Sequence, residues 1–164
     1  METLPLDLRR KIALKLSPKE LIELCLSSKE VFYKGICKDD EFWRLKVEYD
    51  YPEVMEYFRK SNLILKNPKN TYIRVFSQIS KLIEKASMGN PKLYNFILAV
   101  YNDLRQNMPY KDYREFDENI DYLMKKNKNL YDFTKNEIFI RKVFADVSVQ
   151  SPLFATFGRK PFLD

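Results

Sequence analysis

Residues Leu4–Pro52 read LPLDLRRKIALKLSPKELIELCLSSKEVFYKGICKDDEFWRLKVEYDYP, and the order of caps and apolar residues predicts short helices that turn sharply on one another. Leu4-Pro5 opens the first, since proline in a first helical turn lacks only an N–H that would have had no partner there. Leu8, Ile12 and Leu16 then recur at helical spacing. A second helix carries Leu21, Leu24 and Cys25, a third carries Val31, Phe32 and Ile36, and a fourth opens at Asp39 or Asp40 and presents Phe42, Trp43 and Leu45. Asp50-Tyr51-Pro52 ends the stretch.

Local chemistry accounts for the corners. Ser17-Pro18-Lys19-Glu20 has the form of a capping box, flanked by Leu16 and Leu21 as a hydrophobic staple. Ser27-Ser28-Lys29-Glu30 repeats the arrangement between Leu26 and Val31, so one helix ends and another starts within about two residues. Helices this short bury too little alone, and the expected shared core is Ile12, Leu24, Phe32, Ile36 and Leu45.

This ordered set resembles an F-box, and the resemblance covers residues 4 to 52 of the 164. Leu-Cys-Leu-Ser-Ser-Lys, then Phe-Trp-Arg-Leu-Lys running into Asp-Tyr-Pro, is most similar to the F-box-like proteins of giant DNA viruses. An F-box docks a Skp-type adaptor that joins it to a cullin-based ubiquitin ligase. The adaptor-facing positions implied by the resemblance are Leu4, Pro5, Leu8, Ile12, Leu24, Ser28 and Trp43. From the residues alone, Trp43 has two readings, core of the module or protruding contact.

The formal charge is +6, and all of the excess falls after residue 60. That balance favours acidic partners without the dense basic clustering of a nucleic-acid binder. No apolar run approaches the roughly 18 residues a membrane span needs, and Met-Glu-Thr-Leu-Pro lacks the layout of a secretory signal. The expected setting is intracellular, the host cytoplasm or nucleus if the chain is viral, with the virion as an alternative. Histidine is absent, which removes the commonest general base and metal ligand together. The three glycines, Gly35, Gly89 and Gly158, assemble no phosphate-cradling loop. Asp39-Asp40-Glu41 and Asp117-Glu118 sit where a helix start or a solvated face would put them. Cys25 and Cys37, twelve positions apart, read as two small core hydrophobes and not as a zinc site or a redox pair. A non-enzyme with no cofactor and no metal is the expectation.

Beyond Pro52 the helical spacing continues. Tyr72, Val75, Phe76, Ile79, Leu82 and Ile83 define one amphipathic face, and Met88-Gly89-Asn90-Pro91 stops that helix and starts the next. Leu93, Phe96, Ile97, Val100, Tyr101 and Leu104 form a second stripe, expected to bury against the first as a helical hairpin. Tyr113, Phe116, Ile120, Leu123 and Met124 mark a third helix, ending in Lys125-Lys126-Asn127-Lys128, where cations suit the negative end of the helix dipole. Thr134-Lys135-Asn136-Glu137 reads as another capping box, stapled by Phe133 and Ile138, opening a helix through Arg141, Val143, Phe144 and Val147. A short strand at Ile138-Phe139-Ile140 is the alternative. From Ser148 the pattern dissolves into a proline-broken tail with Phe154, Phe157 and Phe162.

The expected fold is therefore all-α: an F-box-like cluster over 1–52, a connecting segment over 53–69, a small helical bundle over 70–147 and an extended aromatic tail over 148–164. The leading functional expectation is a non-enzymatic F-box adaptor that captures a protein substrate through the second part. Phe154, Phe157 and Phe162 are candidate partner anchors if the tail does not pack back on the bundle. The alternative is a structural or virion-associated protein using the F-box-like unit as an assembly module. Binding of nucleic acid is disfavoured, because Glu30 would meet phosphate in a helix-turn-helix reading and acidic residues dilute the third helix.

Overall fold

The computed structural model describes residues 5–27, 35–107 and 116–150, and every helix or strand assignment among them is helical. The chain is all-α. It divides into two compact units, Met1–Phe76 and Ser77–Asp164.

In the first unit, α1 (Leu6–Lys15) follows Pro5 and ends where Leu16 turns extended. Helix α2 (Pro18–Ser27) restarts at once because Ser17 forms the expected box. The Ser17 hydroxyl accepts from the Glu20 N–H at 3.2 Å, and the Glu20 carboxylate accepts from the Ser17 N–H at 3.4 Å. The second box, at Ser27 to Glu30, lies outside the described residues apart from Ser27. Helix α3 (Asp40–Asp50) is capped by Asp39, whose Oδ1 accepts from the Glu41 N–H at 3.1 Å. One residue, Tyr51, separates α3 from α4 (Pro52–Lys60). The ring of Pro52 drives Tyr51 out of the α region and then starts the next helix itself, which makes this corner abrupt.

The segment read from sequence as a connection thus contains α4, whose Val54 and Phe58 are buried, and then Leu65, also buried. Helix α5 (Pro68–Ser87) contributes Tyr72 and Val75 to the same core. The Tyr72 ring lies 5.4 Å from Trp43 and 5.2 Å from Tyr51, and Lys69 sits over the Trp43 ring at 5.8 Å. Residues after Pro52 therefore complete the cover over Trp43, which is why the unit extends to Phe76 and does not close at 52.

The expected core needs correction. Ile36 is fully buried, but Ile12 and Leu45 are 39% and 42% exposed, Leu24 is half-buried and Phe32 lies outside the described residues. Their places are taken by Ala13, Leu21, Phe42, Trp43 and Val47. Small Ala13 lets α1 approach α3 closely, and Leu8 and Ile12, about 100–140° around the helix from it, are left outside.

In the second unit, Met88 and Gly89 take positive φ of 51° and 76° to end α5, and Asn90 caps α6 (Pro91–Asn107) by accepting from the N–H groups of Lys92 and Leu93. The expected stripes are buried at Ile79, Ile83, Leu93, Phe96, Ile97, Val100, Tyr101 and Leu104. Helix α6 also approaches α7 (Phe116–Lys126) and α8 (Glu137–Gln150) closely, so its stripe serves a bundle. Phe96 is the hub: Phe133 stacks on it at 5.6 Å, while Tyr131 and Phe144 lie 5.9 Å away.

The box at Thr134 is not formed. Asp132 is the acceptor, receiving the Thr134 N–H and hydroxyl, and residues Thr134–Asn136 make a 3-10 turn. Glu137 instead receives Arg141 at 3.0 Å, and Ile138 is 87% exposed, so it staples nothing. Residues 138–140 are helical, which rules out the strand alternative.

Asp121 ties α7 to α8. Lys125 reaches it at 3.3 Å and Arg141 at 2.6 Å, and these donors hold its carboxyl below the usual carboxylate range. With the folded pKa depressed, the stabilisation is present above the unfolded pKa and is lost as pH falls through the folded one. Asp121→Asn is expected to flatten the acid limb of a stability profile followed by circular dichroism between about pH 2 and 5.

Candidate functional site

The expected adaptor face begins on α1. Leu8 and Ile12 stand one turn apart, 46% and 39% exposed, and Pro5 just ahead of them is exposed as well. Leu6, 41% exposed, adds apolar surface that the sequence reading did not name. On α2, Leu24 is half-buried and Leu26 is 80% exposed, while Val31, its expected staple partner, lies outside the described residues. Leu4 and Ser28 lie outside the described residues.

Trp43 is corrected as a contact residue. Its side chain has no exposed surface, its indole N–H donates to the Cys37 carbonyl at 2.9 Å, and Phe42 packs on it edge-on at 5.6 Å. A lone tryptophan at this spacing is ambiguous in sequence because either face of a short helix can be the inner one.

What holds α1 in place is a lysine that sequence reasoning passed over. Lys46, fully buried on α3, donates to the carbonyls of Leu14 and Leu16 at 2.6 Å each and pairs with Asp50 at 3.0 Å. Asp50 also accepts from the Tyr72 hydroxyl. The ammonium thus spends its three donors on two orphan carbonyls at the end of α1 and on one carboxylate. Burial lowers the Lys46 pKa from that of an ordinary lysine, and the charge and hydrogen bond of Asp50 oppose the shift. Arg10 adds a second strut, 2.6 Å from Asp39 at the start of α3. Clamped at its C-terminal end and braced at Arg10, α1 presents Leu8 and Ile12 from a fixed support.

Cys25 and Cys37 require a larger correction. They are joined by a disulfide, with Cα atoms 5.6 Å apart, which links the last turn of α2 to helical residues 35–37. Twelve residues of separation gave no sign of this, because spacing alone does not show which helix ends meet in space.

The second unit offers weaker candidates. An open groove of about 190 Å³ between α5 and α8 is lined by Leu82, Ala86, Val143 and Val147, with Lys85 and Asp146 beside them. Of the basic run, Lys125 pairs with Asp121 and Lys126 lies 3.7 Å from Asp103, while Asn127 donates to Asp103 and to the Leu123 carbonyl. The run therefore closes α7 as its sequence position implied. Phe154, Phe157 and Phe162 lie outside the described residues. Among the described residues no three His, Cys, Asp or Glu side chains gather as a metal site, and no helix is long and apolar enough to cross a membrane. Compared with family models, curated proteins and solved structures, the chain matches none.

Proposed function

We propose that the chain is a non-enzymatic interaction protein, an F-box-like adaptor that docks a Skp-type subunit of a cullin-based ubiquitin ligase through α1 and presents a protein substrate through its second part. One observation carries the reading: Leu8 and Ile12, two positions assigned to the adaptor by the F-box resemblance, are large apolar side chains turned outward on a helix whose end is clamped by Lys46. An exposed apolar row on a rigid support suits docking, since little ordering cost remains to be met on binding. In this reading the ubiquitin chemistry belongs to other subunits and the chain acts inside the cell, in the host cytoplasm or nucleus if it is viral. The tail residues Phe154, Phe157 and Phe162 serve as substrate anchors.

The test is a pull-down with a purified Skp-type adaptor. The wild-type chain is expected to retain it, and Leu8→Asp to lose it by about tenfold or more, with helical content unchanged because Leu8 is half exposed in the free chain. Full retention by Leu8→Asp sinks the proposal for this face.

The burial of Trp43 favours a second reading, because it removes one expected adaptor contact. Here the same α1 face joins the chain into a structural or virion-associated assembly. Light scattering that finds oligomers dispersed by Leu8→Asp, with no adaptor retained by the wild type, selects this reading over the first.

A further inference from the structure

The end of α2 is less deeply buried than its start. Leu21, near its start, is fully buried, but Ile22, Leu24 and Cys25 are only half-buried, and Leu26 is 80% exposed. The other side of the disulfide is anchored by several independent means. Ile36 is fully buried, the Cys37 carbonyl receives the Trp43 indole N–H at 2.9 Å, and Asp39 holds Arg10 at 2.6 Å and caps α3. The covalent bond therefore fastens a less deeply buried helix end to a firmly held turn. Cys25 is also the more accessible partner, half-buried where Cys37 is 7% exposed.

We propose that the Cys25–Cys37 disulfide is a reversible redox latch on the C-terminal half of α2, opened by a dithiol reductant without unfolding the first unit. A thiolate of the reductant attacks the Cys25 Sγ, the Cys25–Cys37 bond breaks, and Cys37 leaves as a thiolate that takes up a proton. The second thiol of the reductant then attacks its own sulfur in the mixed disulfide and releases Cys25, so two electrons and two protons pass to the protein and the reductant becomes a disulfide. Reoxidation by a small disulfide such as oxidised glutathione runs the exchange in reverse. Opening leaves residues 36–39 in place, held by Ile36, Trp43 and Arg10, and frees Leu24 to Leu26 to fray. The chain has only two cysteines, so no other intramolecular pairing competes with closure. The inference concerns the chain by itself and holds whether or not α1 binds an adaptor.

Hydrogen exchange on the full-length chain tests it, comparing protein equilibrated with oxidised glutathione against protein equilibrated with dithiothreitol. Free-thiol titration should read none in the first sample and two in the second. On reduction, amides of residues 23–27 are expected to exchange about tenfold faster or more, while those of residues 41–50 hold their protection. The double variant Cys25→Ser with Cys37→Ser should show the fast pattern under both conditions. Two free thiols after oxidation, or no change at 23–27, overturns the proposal. Loss of protection at 41–50 together with 23–27 also overturns it, because the bond would then be a staple for the whole unit and not a latch on one helix end.

Discussion

Trp43→Ala is expected to cost the first unit about 3–5 kcal/mol, the range for emptying a buried aromatic site. The side chain has no exposed surface and is enclosed by Phe42 from its own helix and by Tyr72 and Lys69 from α5. Collapse around the void is limited, because Tyr72 is held at its hydroxyl by Asp50 and Phe42 is fixed on the same helix turn. The truncation also leaves the Cys37 carbonyl without the indole donor, which adds a polar penalty to the cavity. Urea denaturation followed by far-ultraviolet circular dichroism measures the loss, since the only tryptophan is gone. A midpoint equal to that of the wild type would place Trp43 outside the core.

Lys46→Met is expected to cost a similar amount, about 3–5 kcal/mol, for a different reason. Methionine fills much of the same space, so the loss is electrostatic: Asp50 keeps its charge without the cation, and the carbonyls of Leu14 and Leu16 lose their donor at the end of α1. Adding Asp50→Asn should recover part of it, because a neutral amide still accepts from Tyr72 and carries no charge that has lost the Lys46 ammonium. The same denaturation series checks both variants. The sign of the pH dependence follows from burial holding the Lys46 pKa below 10.5. Between that lowered value and 10.5 the unfolded chain binds more protons than the folded one, so this group makes stability rise with pH across the window. Subtracting the Lys46→Met profile from the wild-type profile isolates that rise, and a difference that falls with pH would show Asp50 outweighing desolvation.

Lys46 matters to the proposed docking face as well as to stability. It closes the end of α1, the helix that carries Leu8 and Ile12. Destabilised variants should therefore lose adaptor binding together with fold, whereas Leu8→Asp loses binding alone. That difference separates a residue that contacts a partner from one that positions the contact.

Local chemistry was legible in the sequence. Ser17 with Glu20, Asp39, Tyr51-Pro52 and Gly89-Asn90-Pro91 each begin or end a helix through bonds and backbone limits that reach no more than about four residues, so the all-α class and most corners followed from them. The candidate face was legible to the extent that Leu8 and Ile12 lie one turn apart on α1. Which stripe of each helix turns inward was decided only by tertiary structure. Periodicity marks a face without saying whether a neighbour covers it, and the neighbours here come from far along the chain. Lys46 reaches back 30 and 32 residues to the end of α1, Tyr72 reaches 22 to Asp50, and Arg10 reaches 29 forward to Asp39. Those long-range contacts put Ala13 and Trp43 inside and left Ile12 and Leu45 outside. Even the failed box at Thr134 has this origin in part: Asp132 competes for the same N–H locally, while Arg141, pinned to Asp121 on another helix, draws Glu137 away.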